Sequence, residues 1–181
     1  ELARRRGARV VTGVPVSGLL GDGPTVRGVR LTDGSEHRAR HVVVCAGAWS
    51  TGIPDVAVRA GLPQDAVFPV RGQIVELWGP PGLLSHMVYG GKGYVVPRKD
   101  GRLLCGSTME RVGFDKSVTA GGLRMVLDKA LRLVPEIAEL RVNATWAGLR
   151  PATADGLPLL GKTRAPGLLL ATGHLRNGVL L

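Results

Sequence analysis

Leu123, Val126, Leu127, Ala130, Leu131 and Val134 recur at the 3, 4, 7 spacing of one helical face. Thr119 offers a capping oxygen before them, and Pro135 cannot continue the backbone ladder after them. The spacing predicts a helix opened by Thr119 and running to Val134. On both sides the chain reads as strands. Phe68–Trp78 alternates, broken by the polar Arg71-Gly72-Gln73. His86–Tyr89 and Gly93–Arg98 are strand-like, with Gly90-Gly91 between them. Lys99-Asp100-Gly101 is a hairpin turn that returns the chain through Arg102–Ser107. After a short turn at Glu136–Leu140, Arg141–Trp146 reads as another strand.

The flanks read differently. Glu1 to Arg6 looks like the end of a helix closed by Gly7, followed by a strand from Ala8 to Val16. Residues 8–20 and 26–32 suggest a small meander, with turns at Asp22-Gly23-Pro24 and Asp33-Gly34. Val42–Cys45 is a short β-rich run, the pattern of a strand buried on both faces, and Gly47 allows a sharp turn after it. Residues 51–66 read as loop and short helix, and Leu168–Ala171 as a buried strand. Cys45 and Cys105 lie in apolar runs without metal-ligand spacing, so both are expected as buried free thiols of a reducing compartment. No metal site is expected.

The net charge of +10 raises nucleic-acid binding, but the basic residues are scattered and aromatics are only 4%. Tracking phosphates needs a basic stripe. The cluster Arg4-Arg5-Arg6 sits where a helix ends, and cations there favour the helix dipole. No apolar run is long enough for a membrane helix. A cytoplasmic location without nucleic-acid or membrane partners is expected, with homo-oligomerisation left open.

Two arginines carry the chemistry. Arg150 precedes Pro151, which restricts its backbone to extended geometry. Arg176 lies between Gly173 and Gly178, in a loop where backbone can approach a flat ligand. A guanidinium fork matches both oxygens of a carboxylate. On residue chemistry alone, an arginine before proline is more often a surface ion-pair residue, since exposed arginines are common. Arg71 reads equally as a site residue or as an edge-strand residue facing water.

The segments WAGLRPATADGLPLLG and ATGHLRNGVLL, with VVVCAGAWS at 42–50, PVRGQ at 69–73 and GYVVPRKDGRLLCGST at 93–108, occur in the order of a known family. The chain resembles the glycine oxidases of thiamine biosynthesis, within the FAD-dependent D-amino-acid oxidase family. That resemblance implies an α/β, partial FAD-binding domain joined to an α+β substrate domain with an antiparallel or mixed sheet. Residues 1–60 and 147–181 would belong to the first and 61–146 to the second. It lacks the Gly-x-Gly-x-x-Gly fingerprint that such proteins carry upstream, which suggests a piece of a longer flavoenzyme. For the substrate, the resemblance implies Arg150, Tyr94, Met109 and Arg176. For FAD, it implies Val16, Ala46, Gly47, Trp49, His174, Arg176, Asn177, Gly178, Val179 and Leu180, with a helix opening at Gly178. Lys92 departs from the pattern, which has histidine there.

The implied reaction is oxidative deamination of glycine or another small amino acid to an oxo acid, ammonium and hydrogen peroxide, with oxygen as acceptor. No protein group is expected as general base. Asp155 reads as a turn residue, His174 as loop packing, and the helix after Thr119 as scaffold. The alternatives are a related D-amino-acid or sarcosine oxidase or dehydrogenase, and a non-catalytic piece unable to bind FAD alone.

Overall fold

A computed structural model describes residues 2–179. In chain order it contains α1 (Leu2–Arg5), β1 (Val16–Leu20), β2 (Gly28–Leu31), β3 (Glu36–Arg38) and β4 (Val42–Val44). A 3-10 turn (Gly47–Gly52), α2 (Val56–Ala60), β5 (Phe68–Trp78), β6 (Val88–Gly90), β7 (Gly93–Pro97) and β8 (Arg102–Gly106) follow. Then come α3 (Ala120–Leu133), a 3-10 turn (Pro135–Ile137), β9 (Arg141–Ala152), β10 (Leu159–Lys162) and β11 (Leu168–Thr172). The chain divides into two compact units. One is Glu1–Val67 with Thr153–Gly173; the other is Phe68–Ala152 with His174–Leu181.

In the first unit, α1 closes at Gly7, whose φ is +88°, with Arg4 and Arg5 in its last turn. The strand expected over Ala8–Val16 starts only at its last residue. Gly13 has φ +85° and Pro15 has no N–H, so residues 8–15 join no ladder, and Val10 and Val11 are exposed. The meander has three strands rather than two, in the order β1-β2-β3, all antiparallel. A second sheet runs β10-β11-β4, with β11 and β4 parallel and Leu168 opposite Val42. Val44, Leu168 and Leu170 enter a core with Leu19, Val26, Val56 and Ala60. Val42–Cys45 is not buried on both faces. Val44 points into that core, while Val43 and Cys45, on the alternate face, are exposed.

That placement corrects the expectation for Cys45 and separates the two thiols. Cys105 has no exposed surface, and burial pushes its thiol up to about 11. In the native chain at pH 8, a thiol reagent modifies Cys45 within minutes and leaves Cys105 intact until denaturant is added. Mass spectrometry of the labelled chain checks this; early modification of Cys105 would contradict its burial.

The second unit is a five-stranded sheet in the order β6-β7-β8-β5-β9, antiparallel throughout. α3 covers one face: Val126, Ala130 and Val134 pack with Val75, Leu77, Val95, Leu103 and Cys105. Each of these larger apolar side chains stabilises the unit by roughly 1.5–3 kcal/mol through its burial. The helix obeys its spacing, and the Thr119 hydroxyl accepts the Gly122 N–H at 3.1 Å. Gln73, fully buried on β5, clips that end. Its Oε1 accepts the Thr119 N–H at 2.9 Å, and its Nε2 donates to Glu110 Oε1 at 2.9 Å and Thr119 Oγ1 at 3.2 Å.

Arg71 does not face water. It is 4% exposed, and its guanidinium pairs with Asp115 at 2.6 Å and with Glu110. Burial raises the pKa of Glu110, but hydrogen bonds from Thr108, Arg71 and Gln73 outweigh it and hold the carboxyl below its ordinary value. A depressed carboxylate pKa contributes stability above the unfolded value, and that stability is lost as pH falls through the folded one. Among the described residues, no helix is long and apolar enough to cross a membrane.

Candidate substrate site and family

β9 runs further than the sequence suggests. It continues from Arg141 through Arg150 to Ala152, with Val70 opposite Arg150 and Pro69 opposite Pro151. Neither proline has an N–H to give the ladder, so the two face each other without leaving an orphan donor. This fixes Arg150 on a rigid strand instead of a loop. Its side chain crosses to β5, where Gly72 has no Cβ; a Cβ there would occupy the guanidinium. Nη2 donates to Ser107 Oγ at 2.8 Å and Nη1 to the Thr108 carbonyl at 3.2 Å.

Tyr94 arrives by the same device. Its ring lies over Gly106 of β8, the residue opposite it in the ladder, and a side chain at Gly106 would expel it. Tyr89 stands directly opposite Tyr94 across the β6–β7 hairpin. Tyr89, Tyr94, Ser107 and Arg150, with Met109, Leu175 and Arg176, line an open cavity of about 690 Å³ in the second unit. Such a volume falls within the ~300–1,000 Å³ of ligand pockets. The loop carrying Arg176 is held by the Leu175 N–H, which donates to the Pro151 carbonyl at 2.8 Å, and by a turn from Asn177 N–H to the His174 carbonyl at 2.9 Å.

The cavity is electropositive. Lys92, Lys129, Arg150 and Arg176 line it, and no carboxylate does among the described residues. Arg150 is half-buried, and no acidic group of the described chain forms an ion pair with it. Burial pushes its pKa below the ordinary value; the Tyr94 hydroxyl opposes that, and Arg176 adds to it. A guanidinium remains charged in any case. Arg71, on the neighbouring strand, shows the contrast: its charge is matched by Glu110 and Asp115. A partly desolvated cation without a counter-charge is the arrangement of an anion site.

Each residue expected at a substrate site, Arg150, Tyr94, Met109 and Arg176, lines this one cavity. The residues expected at a cofactor are distributed over both units. Val16 opens β1, and Ala46, Gly47 and Trp49 follow β4, all in the first unit. His174, Arg176, Asn177, Gly178 and Val179 belong to the second. Leu180, and most of the helix expected from Gly178, lie outside the described residues.

The full chain, residues 1–181, matches the family described as FAD dependent oxidoreductase. The chain belongs to that family. Among FAD dependent oxidoreductases it is 41% identical to the glycine oxidase of Geobacillus kaustophilus over 152 residues, covering 83% of this chain and 39% of that one. It is 36% identical to hydrogen cyanide synthase subunit HcnC of Pseudomonas aeruginosa over 181 residues, covering 99% and 43%. The crystal structure of the Geobacillus glycine oxidase superposes with a TM-score of 0.82 at 38% identity, covering 93% and 44%. That of iminodiacetate oxidase from Chelativorans sp. BNC1 superposes with 0.76 at 31%, covering 86% and 42%. The chain thus spans less than half the length of these relatives.

Within this family fold, several cavity residues escape a reading by sequence. α3 is not scaffold alone, because Met125 and Lys129, four residues apart, both reach the cavity. Their spacing was the available signal, and it was masked by the stronger apolar stripe. Ser107 lies two residues before Met109 and had no separate signal. Tyr89 becomes visible only through its ladder position opposite Tyr94. Asp155 is the turn residue expected, accepting the Leu157 N–H at 3.0 Å.

Proposed function

We propose that this chain is the substrate-holding part of a flavoenzyme that oxidises glycine or another small amino acid. The observation that supports it most is Arg150: a strand-borne guanidinium, steered by Ser107 and Thr108, in a cavity that offers it no carboxylate. A substrate carboxylate completes that site. Arg150 binds it in a fork, the Tyr94 hydroxyl adds a donor, and Met109 walls the apolar side. The cations around the cavity disfavour a second positive charge, so the amine binds neutral. Consistent with this, no carboxylate or histidine among the described residues lines the cavity to take its proton.

The chain's own residues fit a flat cofactor that approaches backbone closely. Gly47, at the carboxyl end of parallel strand β4, has φ +56° and open space where a Cβ would sit. In parallel sheets, ligands bind beyond the carboxyl ends of strands. The hydroxyls of Ser50 and Thr172 both donate to the Gly47 carbonyl, at 2.8 and 2.9 Å, and hold that turn. Ala46, Gly47 and Trp49, with Val16, are the residues of the first unit that would hold FAD. FAD, when bound, would supply the two-electron acceptor; loss of the α-hydrogen as hydride and of one amine proton would leave an imine that water hydrolyses to oxo acid and ammonium, with oxygen reduced to hydrogen peroxide. The chain's residues fix the α-carbon by its carboxylate, which sets the orientation that such a transfer needs.

Peroxide release and oxygen consumption by the complete, FAD-loaded protein test this with glycine, sarcosine and D-alanine. Peroxide with one of them is expected. Reduction of an artificial acceptor without peroxide would assign a dehydrogenase, and no turnover with any of them would overturn amino-acid oxidation. Ser107 is a positioning residue: Ser107→Ala removes one hydrogen bond to the guanidinium and raises KM by roughly three- to tenfold, with kcat little changed. A fall in kcat at constant KM would contradict that role.

A further inference from the structure

We infer that the cavity is built for an amine bearing two carboxylates, the first on Arg150 and the second on Lys92 and Lys129. The inference rests on the amino-acid reading of the cavity. A single carboxylate answers one of the four cations that line it, and no acidic residue of the described chain lines it to answer the others. Arg176 sits on the C-terminal loop, whereas Lys92 and Lys129 come from the β6–β7 turn and from α3. Neither lysine has a carboxylate within 4.0 Å among the described residues, although Asp128 adjoins Lys129 in sequence.

Both lysines are placed by unusual local structure. Lys92 has φ +65°, the left-handed region, in a turn otherwise made of Gly90, Gly91 and Gly93. Glycine takes that conformation without strain, and a lysine held there aims a cation at the cavity rim against its backbone preference. Lys129 is half-buried, and its Cβ would lie 2.9 Å from a Cβ on Gly93, so only glycine lets its stem cross the hairpin. Met125, one helical turn before Lys129, adds an apolar side chain to the same lining. An electropositive concavity with low-dielectric walls draws dianions more strongly than monoanions.

Diglycolate and methoxyacetate are the probes. Both present an ether oxygen where the amine would be, neither can be oxidised to an imine, and they differ in one carboxylate. Isothermal titration of the folded protein is expected to show diglycolate binding roughly tenfold tighter, the scale of one charge-assisted hydrogen bond. In Lys92→Gln/Lys129→Gln that preference falls to about twofold or less. Circular dichroism confirms that the variant is folded, and Lys92→Gln alone, a change in an exposed turn, serves if it is not. Lys162→Gln, in the first unit, controls for the chain's general positive charge and should leave the preference intact. Equal binding of the two probes overturns the inference while the carboxylate reading stands, provided Arg150→Ala abolishes both. A preference that survives the double substitution overturns it as well. Failure of both probes to bind overturns the inference and the amino-acid reading together.

Discussion

Replacing Arg150 by alanine raises KM for the amino-acid substrate by roughly 100-fold, because removing one partner of a desolvated charge pair costs on the order of 2–5 kcal/mol. The rest of the strand should hold, because β9 keeps its backbone pairing with β5. The loss therefore falls on binding, and kcat at saturating substrate changes much less. Arg150→Lys keeps the charge but not the fork, and recovers only part of the affinity. Steady-state kinetics of both variants in the complete enzyme decide it. An unchanged KM in Arg150→Ala would remove the residue from the carboxylate role and leave the cavity's charge without its central explanation.

Gly122→Ala destabilises the second unit by roughly 2–4 kcal/mol, the scale of an overpacked core combined with displaced buried hydrogen bonds. An added Cβ falls on the carboxamide of Gln73, which has no exposed surface in which to retreat. That amide holds the Thr119 N–H and bonds Glu110, so its displacement loosens both the cap of α3 and the network around Arg71. Alanine is ordinarily the better helix former, so propensity alone predicts a small gain of about 1 kcal/mol. The two expectations have opposite signs, and a denaturant titration separates them. Gln73→Ala with Gly122→Ala restores the space and should behave non-additively, since the second change no longer meets an amide.

Much of the second unit was legible because its signals are local. The 3, 4, 7 spacing from Leu123 to Val134, the stop at Pro135 and the turn at Asp100-Gly101 each need only a few neighbouring residues, and each stands in the structure. Ala8–Val16 misled because β-rich composition does not offset Gly13 and Pro15. β3 and β10 went unnoticed because three or four residues carry little periodicity. Cys45 misled for a different reason: alternation in a three-residue strand decides which side is covered, and composition does not report it. The cavity was half legible. Arg150 and Tyr94 stand in recognisable frames, but Gly72, which seats Arg150, acts through pairing between distant segments, and Gly106, which seats Tyr94, acts through hairpin register. Lys129 was hidden in plain sight on a helix whose apolar face was the louder signal.

The pairing of β4 with β11 joins Val42 to Leu168, and β5 meets β9 along its whole length from Phe68 to Trp78. Neither unit is a continuous stretch of chain, so neither can close before a ribosome has released most of it. Loops of this size must be ordered before their contacts reward the ordering, which places the chain among slow folders. Until β11 arrives, the edge of the Val42–Val44 run that it pairs with remains open to other chains. Yield on expression should therefore respond to growth temperature and chaperone supply more strongly than the final stability of the protein would suggest.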